Sequence, residues 1–282
     1  MQNLIDLLKL GRLTQVVDVG ANPIDGDPPY KALLLSGGCS VVGFEPQPKA
    51  LEQLLRTKGP NERYLPHALG DGLLHTLHIC RASGMTSLFL PDLSTLALFD
   101  VLRSAGEVLE RVPVQTSRLD EISEIDALDF LKMDVQGAEL MVLQNGRNKL
   151  KNAVVVQLEV SFVTLYQNQP ALGEVDMEMR AQGFIPHCFA AVKQWPIAPC
   201  VIGGDPRKPL NQLLEADVVY VRDFSKPDSL SNEQLKHLAL ITHICYGSWD
   251  LAMRCISMLE RRGAIEVGSQ NKYVASFGAP RV

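Results

Sequence analysis

The sequence predicts an open α/β sheet, mostly parallel, with helices on both faces. Three observations predict it. Short β-branched runs alternate with stretches of helical spacing, the order of β-α-β units with right-handed crossovers. The runs are near-continuously apolar, as strands buried on both faces are. Four of them stop at an acid (Asp18, Glu45, Asp134 and Glu159), and open sheets of this kind take their ligands outside the carboxyl ends of the strands.

The first strand, over residues 15–19, runs into Asp18-Val19-Gly20-Ala21-Asn22. A glycine at the exit lets a ligand approach the backbone with no Cβ in the way. Asp27 is expected to cap a short helix over 31–36, with proline at the first helical position and Gly37-Gly38 past its end. A second strand over 40–44 stops at Glu45-Pro46. A helix over 49–57 then carries Leu51, Leu54 and Leu55 at helical spacing.

Residues 63–69 predict a third strand, and 73–81 an extra strand or hairpin arm. A polar loop over 83–87, one helix over 93–105 and an edge strand over 111–115 follow. The fourth core strand, 127–133, leads into Asp134-Val135-Gln136-Gly137 and a helix over 138–145. The run 153–160 is the most β-branched in the chain and ends at Glu159. A helix over 172–182 and strands over 184–189 and 217–221 complete a sheet of seven. The turn-rich stretch 195–208 makes the last two a hairpin, hence antiparallel. Beyond Ser231 two helically spaced stretches follow. The expected division is therefore a sheet domain over 1–225 and a C-terminal helical extension over 226–282.

A chain of 282 residues buries about 75% of its unfolded surface without staples. The net charge of −5 and the lack of a dense Lys/Arg run argue against a nucleic-acid partner. The six cysteines are scattered with no C-x-x-C pair and read as small buried hydrophobes in a reducing compartment. Residues 3–10 form an amphipathic start interrupted by Asp6 and Lys9, without the basic region and long apolar core of a signal peptide. No stretch reaches membrane-spanning length, and a cytoplasmic location is expected.

The strand-end acids converge on one cleft. Glu45, at the end of the second strand and near the spacing of about 20 residues from the glycine turn, is placed to accept hydrogen bonds from a ribose diol. A dinucleotide pyrophosphate wants G-x-G-x-x-G. Here the loop is Gly20-Ala21-Asn22-Pro23-Ile24-Asp25-Gly26-Asp27, acidic and without paired glycines. It suits the sulfonium and amino group of S-adenosylmethionine better than a nicotinamide dinucleotide.

Together VVDVGAN, VVGFEP, HALGD and FLKMDVQGAELMVLQNG resemble the FkbM family of S-adenosylmethionine-dependent methyltransferases. The resemblance covers roughly residues 16–160 in motifs, and 184–223 more loosely. It implies a class I methyltransferase fold, Rossmann-like. It implies that Asp18, Gly20 and Asn22 line the methionine end of the cofactor, that Glu45 holds the ribose hydroxyls, and that Pro46 flanks the adenine. His67-Ala68-Leu69 would lie against the adenine, and Asp134 would face the methyl group and acceptor. The family usually has glutamate where this chain has Gln136, and a shorter glycine-containing turn in place of Pro23-Ile24-Asp25-Gly26.

Methyl transfer to a hydroxyl needs alignment of acceptor oxygen, methyl and sulfur and removal of the hydroxyl proton. Asp134 and Glu159 are the candidates for base or acceptor positioning, with His187 behind them. No metal ligand set is expected, since His75 and His78, three apart on a strand, point to opposite faces. Asp27-Pro28-Pro29-Tyr30 spells a tetrad found in amino-methyltransferases of DNA, but here it follows the first strand and better explains a helix start. Trp195 and Trp249 serve packing or line the substrate pocket.

The expected function is S-adenosylmethionine-dependent O-methyl transfer to a sugar, polyketide or other hydroxylated small molecule or glycan. The alternatives are a degenerate cofactor-binding scaffold or sensor, which Gln136 favours, and a nicotinamide oxidoreductase, which the acidic first loop disfavours. The C-terminal helices fit either a cover over the pocket or a homodimer contact.

Overall fold

The computed structural model describes residues 2–22 and 26–276. In chain order its elements are α1 (Gln2–Leu8), β1 (Thr14–Val19), α2 (Lys31–Leu35), β2 (Cys39–Phe44), α3 (Pro48–Thr57), β3 (Glu62–Leu65), β4 (Ala68–Leu69) and β5 (Leu74–Cys80). Then come α4 (Leu93–Leu96), α5 (Asp100–Ala105), β6 (Val108–Ser117), β7 (Phe130–Met133), α6 (Glu139–Gln144), α7 (Arg147–Leu150), β8 (Val155–Ser161) and α8 (Leu172–Ala181). The last are β9 (Phe184–Gln194), β10 (Leu213–Arg222), α9 (Asn232–Tyr246), α10 (Trp249–Arg261) and α11 (Ser269–Ala275).

The main sheet has seven strands in the order β3-β2-β1-β7-β8-β10-β9. The first five are mutually parallel, and β10 runs antiparallel to both its neighbours. The expected doubly wound sheet and its antiparallel closing pair are both present. The strand order reverses between β1 and β7, which is the switch point where such sheets bind ligands.

Period-two alternation sends successive side chains into separate cores. Val16, Phe130, Val155, Val219 and Val221 pack with Leu4, Leu33, Leu238, Ile241 and Ile256 on one face. Val17, Leu131, Val156, Val218 and Tyr220 pack with Val142, Leu150, Val175 and Met179 on the other. Helices therefore cover both faces. The C-terminal helices share the first of these cores with the sheet, and α9 is buried nearly all round, from Leu235 to Thr242. Ser231 starts that helix with a capping box closed by Gln234. A third helix, α11, follows the two expected.

Four local expectations are corrected. The strand over 63–69 breaks at Pro66, which has no N–H for a ladder. Beyond it Ala68 and Leu69 pair with β6 in a separate sheet ordered β4-β6-β5. The stretch 111–115 is thus the centre of that small sheet, not an edge. The helix over 93–105 is interrupted where Phe99 takes extended backbone and buries its ring with Leu96, Leu102, Tyr166 and Leu214. Asp27 does not cap α2, which begins at Lys31 after a turn closed by Lys31 N–H to the Pro28 carbonyl at 2.9 Å. The residue before a proline avoids the helical region, so Pro28, preceding Pro29, cannot open a helix.

Among the described residues no helix is long and apolar enough to cross a membrane.

Candidate active site

The face of the sheet that is apolar at the entry of β1, β7 and β8 turns polar towards their exits. Two residues on from Val16, Phe130 and Val155 stand Asp18, Lys132 and Gln157, which are mutual neighbours in register. Two further on come Gly20, Asp134 and Glu159. β10 runs the other way, so its beginning lies at this end: Asp217 pairs with Glu159, and Glu215 with Ser161. The end of β9 brings Lys193 beside Glu215. Acids on this buried face outnumber bases, Asp18, Asp134, Glu159, Glu215 and Asp217 against Lys132 and Lys193. The arrangement favours a cationic ligand.

Aromatic rings separate the polar rows from the dry core below. Tyr30 and Tyr246 each meet Phe130 edge-on, at centroid distances of 6.4 and 6.0 Å. Their hydroxyls point up into the polar row. Tyr30 donates to Asp18 Oδ2 at 2.5 Å, and Tyr246 to Gln157 Oε1 at 2.8 Å. Each ring is thus buried at its apolar end and satisfied at its polar end.

Asp18 is buried, with Lys132 Nζ 3.4 Å from its Oδ1. Burial pushes the Asp18 carboxyl upward, against the pull of Lys132 and the Tyr30 hydroxyl. Burial draws the Lys132 ammonium down, but the charges of Asp18 and Asp134 outweigh it and leave it raised. Lys132 also donates to the Gly20 carbonyl at 3.3 Å. Gly20 has φ +78°, and a Cβ there would stand 2.0 Å from the Asp134 carbonyl oxygen. Only glycine lets the ends of β1 and β7 approach this closely.

A second cluster lies beside the first. Gln136 Nε2 donates to Asp134 Oδ1 at 2.7 Å and to Glu159 Oε2 at 3.0 Å. Lys193 Nζ donates to Glu159 Oε1 at 2.8 Å and to Glu215 Oε2 at 3.4 Å. Burial first, then the charges of Asp134 and Glu215, raises the Glu159 carboxyl well above its ordinary range. Burial likewise raises Glu45, whose Oε1 accepts the Gln47 N–H at 2.8 Å.

Most of these groups border one cavity of about 610 Å³, within the usual range for a small-molecule site. Of the residues singled out in the sequence, Asp18, Gly20, Asn22, Glu45, Pro46, His67, Ala68 and Asp134 line it. Leu69 joins them, and the His67 ring leans on Phe44 at 6.3 Å. Glu159 does not line the cavity; it stands behind Gln136 and Lys193. His187 is remote from it and hydrogen-bonds Ser248 Oγ at 2.6 Å. Trp195 forms part of the wall opposite the Glu45 end, with the Arg207 guanidinium 5.6 Å above its ring. Trp249 is exposed. Residues 23–25, which include Asp25 of the acidic loop, lie outside the described residues.

Sequence reasoning missed Tyr30, Lys132, Lys193 and Glu215. The tetrad Asp27-Pro28-Pro29-Tyr30 had a signal, an aromatic next to a strand-end acid, and it lines the cavity where Tyr30 meets Asp18. Lys132 was signalled by a lone lysine inside an apolar strand. Among the described residues no group of three or more His, Cys, Asp or Glu side chains is arranged to hold a metal ion.

The chain matches the model of the methyltransferase FkbM domain over residues 18–186. It is 28% identical over 167 residues to 2-O-methyltransferase NoeI of Sinorhizobium fredii, covering 55% of this chain and 66% of that protein. Among solved structures it is similar to magnesium protoporphyrin IX methyltransferase of Synechocystis PCC 6803, solved with bound S-adenosylmethionine. That match has 11% identity and a TM-score of 0.37 and covers 79% of each chain. Precorrin-6y C5,15-methyltransferase of Geobacter metallireducens matches with 11% identity and a TM-score of 0.39, over 78% of this chain and 85% of that one. Structural likenesses this faint carry nothing about the reaction.

Proposed function

The chain belongs to the FkbM family of S-adenosylmethionine-dependent methyltransferases, and on that premise we propose that it methylates a hydroxyl oxygen of a small molecule or glycan. The observation that carries this reading is a continuous cavity running from Glu45 past Asp134 to Trp195. It has a carboxylate for a nucleoside at one end and an aromatic wall at the other. The relative named as a 2-O-methyltransferase supports oxygen as the acceptor atom.

The cofactor fits the residues present. Asp18 Oδ1 is buried, with Lys132 Nζ at 3.4 Å as its ion-pair partner and no closer hydrogen bond among the described residues, an acceptor suited to an ammonium or sulfonium neighbour. In this reading Asp18, Gly20 and Asn22 flank the methionine end. Glu45 accepts from the ribose hydroxyls, its carboxylate held in place by backbone N–H groups of Gln47 and Asn22. Pro46, His67 and Ala68 border the adenine. When bound, S-adenosylmethionine supplies a methyl group already activated for displacement.

The chain's own task is to orient the acceptor and hold its proton. Asp134 lines the cavity and has one oxygen fixed by Gln136; the other, Oδ2, takes no hydrogen bond among the described residues. It receives the hydroxyl proton as the oxygen–carbon bond forms. Glu159, out of reach of an acceptor, acts through Gln136 and Lys193. Trp195 gives a sugar ring a flat apolar platform, and Met85 and Leu165 close the same end.

The test is transfer of a radiolabelled methyl group from S-adenosylmethionine to a panel of hydroxylated sugars, polyketides and glycans. The expected product is a methyl ether, whose label survives mild alkali. Label released by alkali, as from a methyl ester, or label on nitrogen, contradicts the reading.

A further inference from the structure

Asp134 and Glu159 end neighbouring strands, and both point at Gln136. Two carboxylates that close, in a site shielded from water, ordinarily share a proton, because both cannot ionise cheaply. Here an amide stands between them. Its Nε2 lies 2.7 Å from Asp134 Oδ1 and 3.0 Å from Glu159 Oε2, so each N–H of the NH₂ group meets one acid. The NH₂ end of the amide thus faces the two acids. The carbonyl end, Oε1, meets the Tyr166 hydroxyl at 3.1 Å.

The backbone is built to hold this amide. Gln136 has φ +52°, a left-handed conformation uncommon for a residue with a side chain and of a kind that clusters at functional sites. Its carbonyl accepts from Ser87 Oγ at 2.6 Å, and Gly137 follows at φ +102°. Side chain and main chain are therefore both pinned.

We propose that Gln136 is a positioning residue for Asp134: its amide does with two N–H groups what a shared proton would otherwise do between Asp134 and Glu159. It leaves Asp134, which lines the cavity, with no proton shared with Glu159. Asp134 can then take a proton from an acceptor without first losing one of its own. The proposal rests on the reading of Asp134 as proton acceptor.

Other charges bear on the pair. Lys132 and Asp18 approach from β7 and β1, and Lys193 from β9. Glu215 and Asp217 lie on β10, and Glu139 on α6 holds the Val135 N–H at 2.9 Å. All of them remain in a Gln136 variant, so the change in behaviour between proteins isolates the amide.

Gln136→Glu and Gln136→Leu test the proposal, each by turnover and by melting across pH 5 to 8. In the wild-type protein kcat should hold its level across this range, since the amide leaves no shared proton to remove. Gln136→Glu puts a third acid against two, so its new carboxyl binds a proton at low pH and can still donate one hydrogen bond there. The expected result is a slope that falls as pH rises. Turnover is nearest wild type at pH 5 and falls on the order of 10²-fold below it at pH 8, the scale of a displaced general base. In Gln136→Leu the pair must share a proton, so kcat should fall towards pH 5.

The melting arm needs no acceptor. The carboxyl introduced by Gln136→Glu is raised in the folded state above its unfolded value, so its penalty is absent at low pH and grows as pH rises. The difference in Tm between Gln136→Glu and wild type should widen from pH 5 to pH 8. A loss that is the same at every pH, in both turnover and melting, overturns the proposal. Failure of the wild-type protein to methylate any hydroxylated acceptor overturns the reading of the acceptor instead, and the melting arm still decides on the amide.

Discussion

Lys132 Nζ lies 3.4 Å from Asp18 Oδ1, across two neighbouring parallel strands and 114 positions of sequence. Asp18 is buried and Lys132 half-buried, and the aromatic floor formed with Tyr30 and Phe130 lies beneath them. Removing one partner of such a pair leaves an uncompensated charge. Lys132→Met should therefore lose about 3–5 kcal/mol at pH 8, read by urea unfolding. Asp18 then sheds its charge by taking up a proton, so the deficit against wild type should shrink as pH falls towards 5. A deficit independent of pH contradicts the pairing.

Gly20→Ala should be costly for a reason in the backbone. Its Cβ would meet the Asp134 carbonyl oxygen at 2.0 Å, at a φ of +78°. The left-handed conformation and the overpacking together suggest a loss of roughly 2–5 kcal/mol. Affinity for S-adenosylhomocysteine should fall with it, because the ends of β1 and β7 must separate. Calorimetry on the folded fraction checks this, and an unchanged affinity counts against Gly20 as part of the cofactor site.

Glu139 gives a pH signature of its own. Burial pushes its carboxyl up to about 7, in spite of backbone hydrogen bonds such as that from Val135. Its folded value lies above its unfolded value, so the folded state holds the proton longer. Its contribution is fully present below the unfolded value near 4.5 and is lost as pH rises to about 7. At 1.36 kcal/mol per pH unit the loss is about 3 kcal/mol. Glu139→Gln should abolish this decline, and melting curves from pH 4 to 8 measure it. Parallel curves for the two proteins refute the assignment.

Trp195→Ala addresses the acceptor end. The ring lines the cavity away from Glu45, so KM for the acceptor should rise roughly tenfold, as loss of a uniform binding contact does. Affinity for S-adenosylhomocysteine should stay unchanged. The reverse pattern would put Trp195 in the cofactor half.

Much of this was legible in the sequence because parallel strands write their ligand-binding ends as their last residues. Asp18, Glu45 and Asp134 each follow an apolar run and each line the cavity. The rule fails on an antiparallel strand. β10 presents its beginning to the site, so Glu215 and Asp217 stand where a reading of strand ends does not look, and Lys193 comes with them from β9. Lys132 was hidden differently, since a lysine among Phe130, Leu131 and Met133 has no local partner and Asp18 is supplied only by the fold. Glu159 was legible as a strand-end acid, but its screening by Gln136 and Lys193 is a matter of side-chain packing. Local breaks at Pro66 and at Pro28-Pro29 were written in the sequence as prolines and outweighed by the apolar and capping patterns around them.

The most direct measurement is methyl transfer by wild type and Asp134→Asn to one hydroxylated acceptor, alongside S-adenosylhomocysteine binding by both. Asparagine keeps the size and can still accept from Gln136, but cannot take up the hydroxyl proton. The account predicts kcat lower on the order of 10²-fold or more, with S-adenosylhomocysteine affinity within a few-fold of wild type. Turnover retained in Asp134→Asn, with the methyl ether still the product, would contradict it.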